Sequence, residues 1–294
     1  MKKRGKNINL FLMEGSASGR IKCTLANWTG VVYKIPRIEL DKCNERDDLK
    51  QSGVYFLFGT SDDTGEPTAY IGQAGARKNG EGILYRLKEH KRNTDGDYWT
   101  EAVVFTTSNN SLGQTEISYL ENRFYNLAKE IGRYEIRNNV DPALGNVTEE
   151  KESELEEFID YTIIVMGTLG HRIFEPLEER VSHAAEQDLT VGDEPLLFLK
   201  TQYAKATGRR TNEGFIVYQG ARLRSDATPS CGESTKKLRV QYADRIQGGI
   251  LQKDTLFTSP SAASSFVVYA KTSGMTMWRN ERGKTLKALE SQND

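Results

Sequence analysis

The chain has 294 residues, 37% of them hydrophobic and 28% charged, with a net charge of −1. That length suits two domains rather than one, and that apolar share excludes global disorder. Three widely spaced cysteines, Cys23, Cys43 and Cys231, exclude a disulfide framework and the paired spacing of a structural zinc site.

With only three histidines (His90, His171 and His183), a catalytic metal here would be a hard, oxygen-bound cation such as Mg²⁺. No run approaches the ~18 apolar residues of a membrane span. The basic N-terminus "MKKRGKNINLFLMEG" has too short an apolar stretch for a signal peptide, so a cytoplasmic protein without a membrane partner is expected. The near-neutral total hides an asymmetry. Residues 1–140 carry +3 (21 basic, 18 acidic), residues 141–205 carry −10 (5 basic, 15 acidic) and residues 206–294 carry +6 (14 basic, 8 acidic). Two basic regions around an acidic one suit a polyanionic partner.

The opening "INLFLMEGSASGRIKCTLANWTGVVYKIP" reads as short strands broken by Gly and Ser turns, and "RIELDKCNERDDLKQ" as helical. "GVYFLFG" is apolar and too short for a helix, "TSDDTGEP" is dense in turn formers, and "TAYIGQA" returns as a second strand. The result is a hairpin with Tyr55 and Tyr70 on its strands and Gly53 and Gly72 two residues from them. After "GARKNGEG", Ile83, Leu84 and Leu87 predict a helix whose Arg86 and His90, four apart, share a second face. "TEAVVFTTS" is another strand, and Ile117, Leu120, Phe124, Leu127 and Ile131 mark a long amphipathic helix stopped by Gly132. Thr148 caps an acidic helix whose apolar second half packs onto the preceding domain, and "EPLEERVSHAAEQDLTVGDEP" reads as a loose linker. Beyond it "GFIVYQGARLR", "STKKLRVQYADRI" and "SPSAASSFVVYAKTSGMTMWRNERGKTL" predict a second, smaller α+β module, with Phe266 and Trp278 in its core.

One residue departs from the amphipathic pattern. Glu121, in "SYLENRF", sits beside the apolar stripe of its helix, where a carboxylate needs a cation or hydrogen bonds. Arg123 or Arg86 could be its ion-pair partner. Asn138 (or Asn139) follows that helix and could add an amide to the same region. Singly, each of these residues has an ordinary reading: strand aromatics, solvated helix residues, a turn amide.

Together, "GVY", "YIG", Arg86-x-x-x-His90, Glu121 and Asn138 come in the order and spacing of the GIY-YIG nuclease family, which residues 51–140 resemble. "GVY" for "GIY" keeps the glycine and the tyrosine. The resemblance implies a three-stranded antiparallel sheet flanked by helices, and a metal-dependent endonuclease hydrolysing DNA phosphodiester bonds. It makes Glu121 the ligand of Mg²⁺ or Mn²⁺, Tyr55 the general base or activator of the attacking water, Tyr70 a positioner of water or aid to proton transfer, and Arg86 the group that steadies phosphate charge. His90 is an alternative base with a more convenient pKa, whereas a tyrosine near ~10 needs cationic neighbours to become one. Gly53 and Gly72 would leave room for backbone or phosphate near the phenols. The rival class is a nucleic-acid-binding or regulatory protein that keeps the nuclease fold without turnover, and a further one a scaffold for protein assembly.

The expected organisation is then a strand-rich extension (1–50), the nuclease-like domain (51–140), an acidic helical segment and linker (141–205) and an accessory α+β domain (206–294). The tail resembles a domain of unknown function, suited to binding, partner docking or self-association. Its Arg222, Arg224, Lys236, Lys237, Arg239 and Arg245, with Tyr218 and Tyr242, could line a phosphate-binding surface with stacking aromatics, and Gly72 could admit nucleic acid in the first domain.

Overall fold

The computed structural model describes residues 5–61, 65–76, 82–93, 98–176 and 194–291. The tip of the predicted hairpin turn, most of "GARKNGEG", and the greater part of the predicted linker with His183 lie outside them. The chain divides into two compact units, Met1–Pro176 and Leu177–Asp294.

In the first unit the predicted strands form. They are β1 (Ile8–Leu12), β2 (Ile21–Leu25), β3 (Gly30–Pro36), β4 (Gly53–Thr60), β5 (Pro67–Ala74) and β6 (Trp99–Thr107), with a short β7 (Glu135–Ile136). They build one seven-stranded sheet in the order β1-β2-β3-β6-β4-β5-β7, not the expected three-stranded one. β6 has β4 on one side and β3 on the other, from Gly30↔Thr107 to Pro36↔Glu101. The N-terminal strands therefore extend the sheet of the hairpin instead of standing apart from it. The β5–β7 pairing is parallel and the rest are antiparallel.

Alternation along β4 explains its unbroken apolar sequence, because both faces of the sheet are covered. Val54, Phe56 and Phe58 point into one core with Ile117, Leu120 and Phe124 of helix α2 (Gln114–Ile131) and Leu155, Phe158 and Met166 of α3 (Glu149–Thr168). Tyr55 and Leu57 point into another with Tyr33, Ile35, Leu40 and Leu49, and with Ile83 and Leu87 of α1 (Ile83–Arg92). Each fully buried phenylalanine or leucine in these layers stabilises the fold by roughly 1.5–3 kcal/mol. α2 ends as its sequence predicts, with Gly132 at φ 66° and its N–H bonded to the Ala128 carbonyl. Thr148 caps α3 by accepting from the Lys151 amide. The segment predicted as one helix at 37–51 is instead two 3₁₀ pieces, Arg37–Cys43 and Asp47–Lys50. Leu40 and Cys43, three apart, are what it buries, the spacing of a 3₁₀ turn.

The second unit holds a four-stranded antiparallel sheet in the order β13-β10-β9-β8. Its strands are β8 (Leu197–Lys200), β9 (Lys205–Thr211), β10 (Gly214–Val217) and β13 (Thr255–Phe257), and a separate small pair is formed by β11 (Ile246–Gln247) and β12 (Ile250–Leu251). Helices α4 (Glu233–Gln241) and α5 (Pro260–Val268) are followed by short α6 (Gly274–Met277) and α7 (Leu286–Glu290). Phe266 and Trp278 are fully buried, as expected, and the Trp278 indole N–H bonds the Pro260 carbonyl at 2.9 Å. The sheet begins at Leu197, inside the stretch read from sequence as linker.

Candidate active site

Strand register brings the two phenols together. Tyr55 stands opposite Gly72 across the β4–β5 ladder, and Tyr70 lies two residues before that glycine, on the same face. A Cβ on Gly72 would collide with the Tyr55 hydroxyl, so the buried glycine makes room for the phenols themselves and not for nucleic acid. Gly53 makes room for the Phe105 carbonyl and the Ile83 side chain, which seats α1 on the sheet.

α1 carries Arg86 and His90 down onto this face. Tyr55 Oη lies 2.8 Å from His90 Nε2, and the Tyr70 ring centre lies 5.1 Å from that of His90 and 6.3 Å from that of Tyr55. Arg86 pairs with Glu89 at 2.7 Å, which raises its pKa, and it also acts on Tyr55. These α1 residues line a cavity of about 250 Å³ with Arg86, Glu89, His90 and Asn93 at its wall. Burial pushes the Tyr55 pKa up, helped by Tyr70 and opposed by Arg86. Burial pushes the His90 pKa down to about 4, with the Arg86 charge adding to it. At neutral pH both are uncharged. Tyr55 is only 1% exposed, so the expected phenolate base is not what the site favours.

Glu121 approaches from α2. Gln114, Ser118 and Glu121 form one stripe of that helix and all reach Gln73, the residue after Gly72. The Gln73 amide donates to Glu121 Oε2 at 2.8 Å and to Ser118 Oγ at 3.0 Å. Neither suggested arginine pairs with Glu121: Arg123 bonds Glu156 at 2.6 Å and Arg86 bonds Glu89. Among the described residues Glu121 has no ion pair, and desolvation raises its pKa against the pull of Gln73 and Arg86. Its charge also acts on Tyr55, so the carboxylate and the dyad share one electrostatic field.

Could this carboxylate hold a metal? Among the described residues no three His, Cys, Asp or Glu side chains gather as a cation cage. Mg²⁺ commonly uses one or two carboxylates and fills its octahedron with water and substrate phosphate oxygens. A desolvated glutamate held in place by one amide fits that mode of binding.

Asn138 has a different task from the one expected. Its side-chain amide donates to the Ile71 carbonyl at 2.7 Å and accepts from the Ile71 N–H at 3.0 Å. It thus extends the β5–β7 ladder by one step with a side chain, holding the strand that carries Tyr70 and Gly72. Asn139 is exposed. Gln73 was not legible as a site residue, although strand alternation places it on the face opposite Gly72, toward α2.

In the second unit the expected basic surface is only partly assembled. Arg239 is desolvated, which lowers its pKa, and donates to the carbonyls of Phe266 at 2.8 Å and Arg224 at 2.9 Å, closing the end of α5. It holds the fold and is not offered to a phosphate. Tyr242 packs edge-on against Phe257 and Phe266 in the core, so it is no stacking platform. Lys236 pairs with Glu233 at 2.6 Å, Lys237 is exposed, and Arg224 lies 4.9 Å over the Tyr203 ring. Arg222 is exposed on the wall of a separate cavity.

Residues 197–290 match the sequence pattern of a domain of unknown function, DUF4357. That agrees with the likeness of the tail to such a domain and leaves the first unit without a family assignment. No curated protein and no solved structure matches the chain.

Proposed function

We propose that the chain is a metal-dependent endonuclease that hydrolyses DNA phosphodiester bonds in its first unit. One observation carries the reading: Tyr55 and His90 meet at 2.8 Å in the electrostatic field of a desolvated carboxylate, Glu121, that has no ion pair among the described residues. Two neutral proton-transfer groups within the electrostatic reach of a desolvated carboxylate and of an arginine are the kind of arrangement that acid–base chemistry uses.

Phosphodiester cleavage needs a base for the attacking water and positive charge at the phosphate oxygens. His90 is neutral and lines the cavity, so it is the better base of the two candidates. With its Nε2–H donating to Tyr55 Oη, Nδ1 keeps the lone pair that takes the water proton. Tyr55 then orients the ring and accepts from the imidazolium that forms. Tyr70, packed against both rings, limits where water can stand. Arg86 faces the same cavity with its charge steadied by Glu89 and meets the growing negative charge on the phosphate. Glu121 would hold Mg²⁺ or Mn²⁺, which when bound neutralises phosphate charge.

The test is a cleavage screen of duplex, branched, flapped and nicked DNA with Mg²⁺ and Mn²⁺. Glu121→Ala and His90→Ala should lower cleavage by about 10²-fold or more. Tyr55→Phe should lower it less, because it removes only the hydrogen bond that orients His90. Variants that stay folded and cut as well as wild type would show that this is not the active site. Salt-dependent DNA binding with no cleavage of any substrate would overturn the hydrolytic reading in favour of a binding protein.

A further inference from the structure

The second unit contains a cluster of cations that its fold does not neutralise. Lys200 and Lys205 stand directly opposite one another across the β8–β9 hairpin, and Arg222 stands opposite Lys205 on the other side. The Lys205 and Arg222 backbones exchange hydrogen bonds at 2.9 and 2.7 Å. Directly paired residues of antiparallel strands project on the same face, so the three side chains form one row. All three are exposed, and none has an ion pair among the described residues. Like charges directly opposite in a sheet destabilise it. The fold brings them together nonetheless, around a cavity of about 370 Å³ whose wall also includes Thr207, Gln219 and Gly220. Gly220, at φ 82°, makes the turn that leads Arg222 to the cavity, and Asp254 fixes that turn by accepting from the Gln219 backbone N–H at 2.8 Å.

An aromatic ring stands at the tip of the same hairpin. Tyr203 occupies the tip of the hairpin between Lys200 and Lys205, is 55% exposed, and lies 4.9 Å from the Arg224 guanidinium. A cationic groove beside an exposed ring is the arrangement that takes single-stranded nucleic acid, with phosphates on the charges and a base on the ring. A free phosphate would use the cations and leave the ring unused.

We propose that Lys200, Lys205 and Arg222 form a phosphate-binding pocket for single-stranded nucleic acid, with Tyr203 as the stacking platform for a neighbouring base. The site lies within the second unit and stands whether or not the first unit cleaves DNA.

Its test uses the full chain in EDTA, which stops metal-dependent cleavage, so a failed nuclease reading and a failed pocket remain distinguishable. Fluorescence anisotropy of a labelled short oligothymidylate gives Kd across a salt series. Lys200→Ala/Lys205→Ala/Arg222→Ala should raise Kd about tenfold or more and reduce the salt slope by about 2, from ~0.7 per phosphate contact. Tyr203→Ala should raise Kd about fivefold or more and leave the slope unchanged. Lys236→Ala/Lys237→Ala on α4 should stay within about twofold of wild type. Lys205→Gln gives a milder reading if the triple variant fails to fold, with a slope reduced by about 0.7. Affinity and slope unchanged in the triple variant, or in Lys205→Gln, would overturn the pocket. Loss of pyrophosphate binding with unchanged oligonucleotide binding would assign the cations to a small phosphate ligand and overturn the nucleic-acid assignment.

Discussion

At His90, burial and the charge of Arg86 act in the same direction, and the residue's titration becomes a stability term. Its pKa falls from an ordinary 6.5 to about 4 in the folded chain, with Glu89 opposing the shift only in part. Between those values the unfolded chain binds the proton more readily than the folded one. The contribution is therefore fully present above pH 6.5 and is lost as pH falls toward 4. For a half-buried ring, discounted for solvent screening, this amounts to about 1 kcal/mol between pH 7 and pH 5. Urea unfolding of wild type and His90→Gln at the two pH values checks it: the loss on acidification should be larger in wild type by that amount. Glu121 works the other way. Its raised pKa makes the folded chain hold a proton more readily, so its ionisation costs stability as pH rises through that raised value. Comparing the two chains at matched pH cancels that contribution.

Among the elements, β5 depends on a side chain for its edge. β7 pairs only with Thr68 and Ala69, and the Arg137 N–H bonds the Ala69 carbonyl at 2.8 Å before the Asn138 amide takes over at Ile71. Asn138→Asp keeps the shape and removes the donor, setting a carboxylate oxygen against the Ile71 carbonyl. It should cost about 1–3 kcal/mol in unfolding free energy. It should also speed amide exchange at Ile71 in a hydrogen-exchange measurement. The hairpin, α1, α2 with its Gly132 stop and α3 with its Thr148 cap were legible because period, cap and glycine agree locally. Asn138 itself was legible as a member of the site region, but its task was not, since a side chain that imitates a strand leaves no periodic trace. The split 3₁₀ segment and Gln73 were hidden for a related reason, that each is settled by what packs against it. The same holds for Lys200 and Lys205. Both fall in the stretch 141–205, read as an acidic helical segment and linker, and only strand pairing shows that they are neighbours.

For the whole molecule, the three buried clusters divide cleanly: two lie within residues 21–174 and the third within residues 197–286. Each unit has its own apolar interior, so unfolding should not be a single transition. A Trp28→Phe/Trp99→Phe variant leaves Trp278 as the sole indole, a reporter of the second unit. Its fluorescence midpoint in urea should differ from that of the far-ultraviolet circular dichroism, and coincident curves would contradict this. The existence of two units was legible from length. The width of the first sheet was not, because nothing local announces that β3 will pair with a strand some seventy residues away.

That distant pairing has a kinetic meaning. β1 to β3 form one local meander and β4–β5 another, yet neither closes on the other until β6 enters between β3 and β4. Loop-closure entropy must be met before that insertion yields contacts, which makes it a slow event of high contact order. As the chain leaves the ribosome, the open sides of β3 and β4 therefore wait for Trp99–Thr107. The platform under Tyr55 is complete only once β6 is in place beside β4.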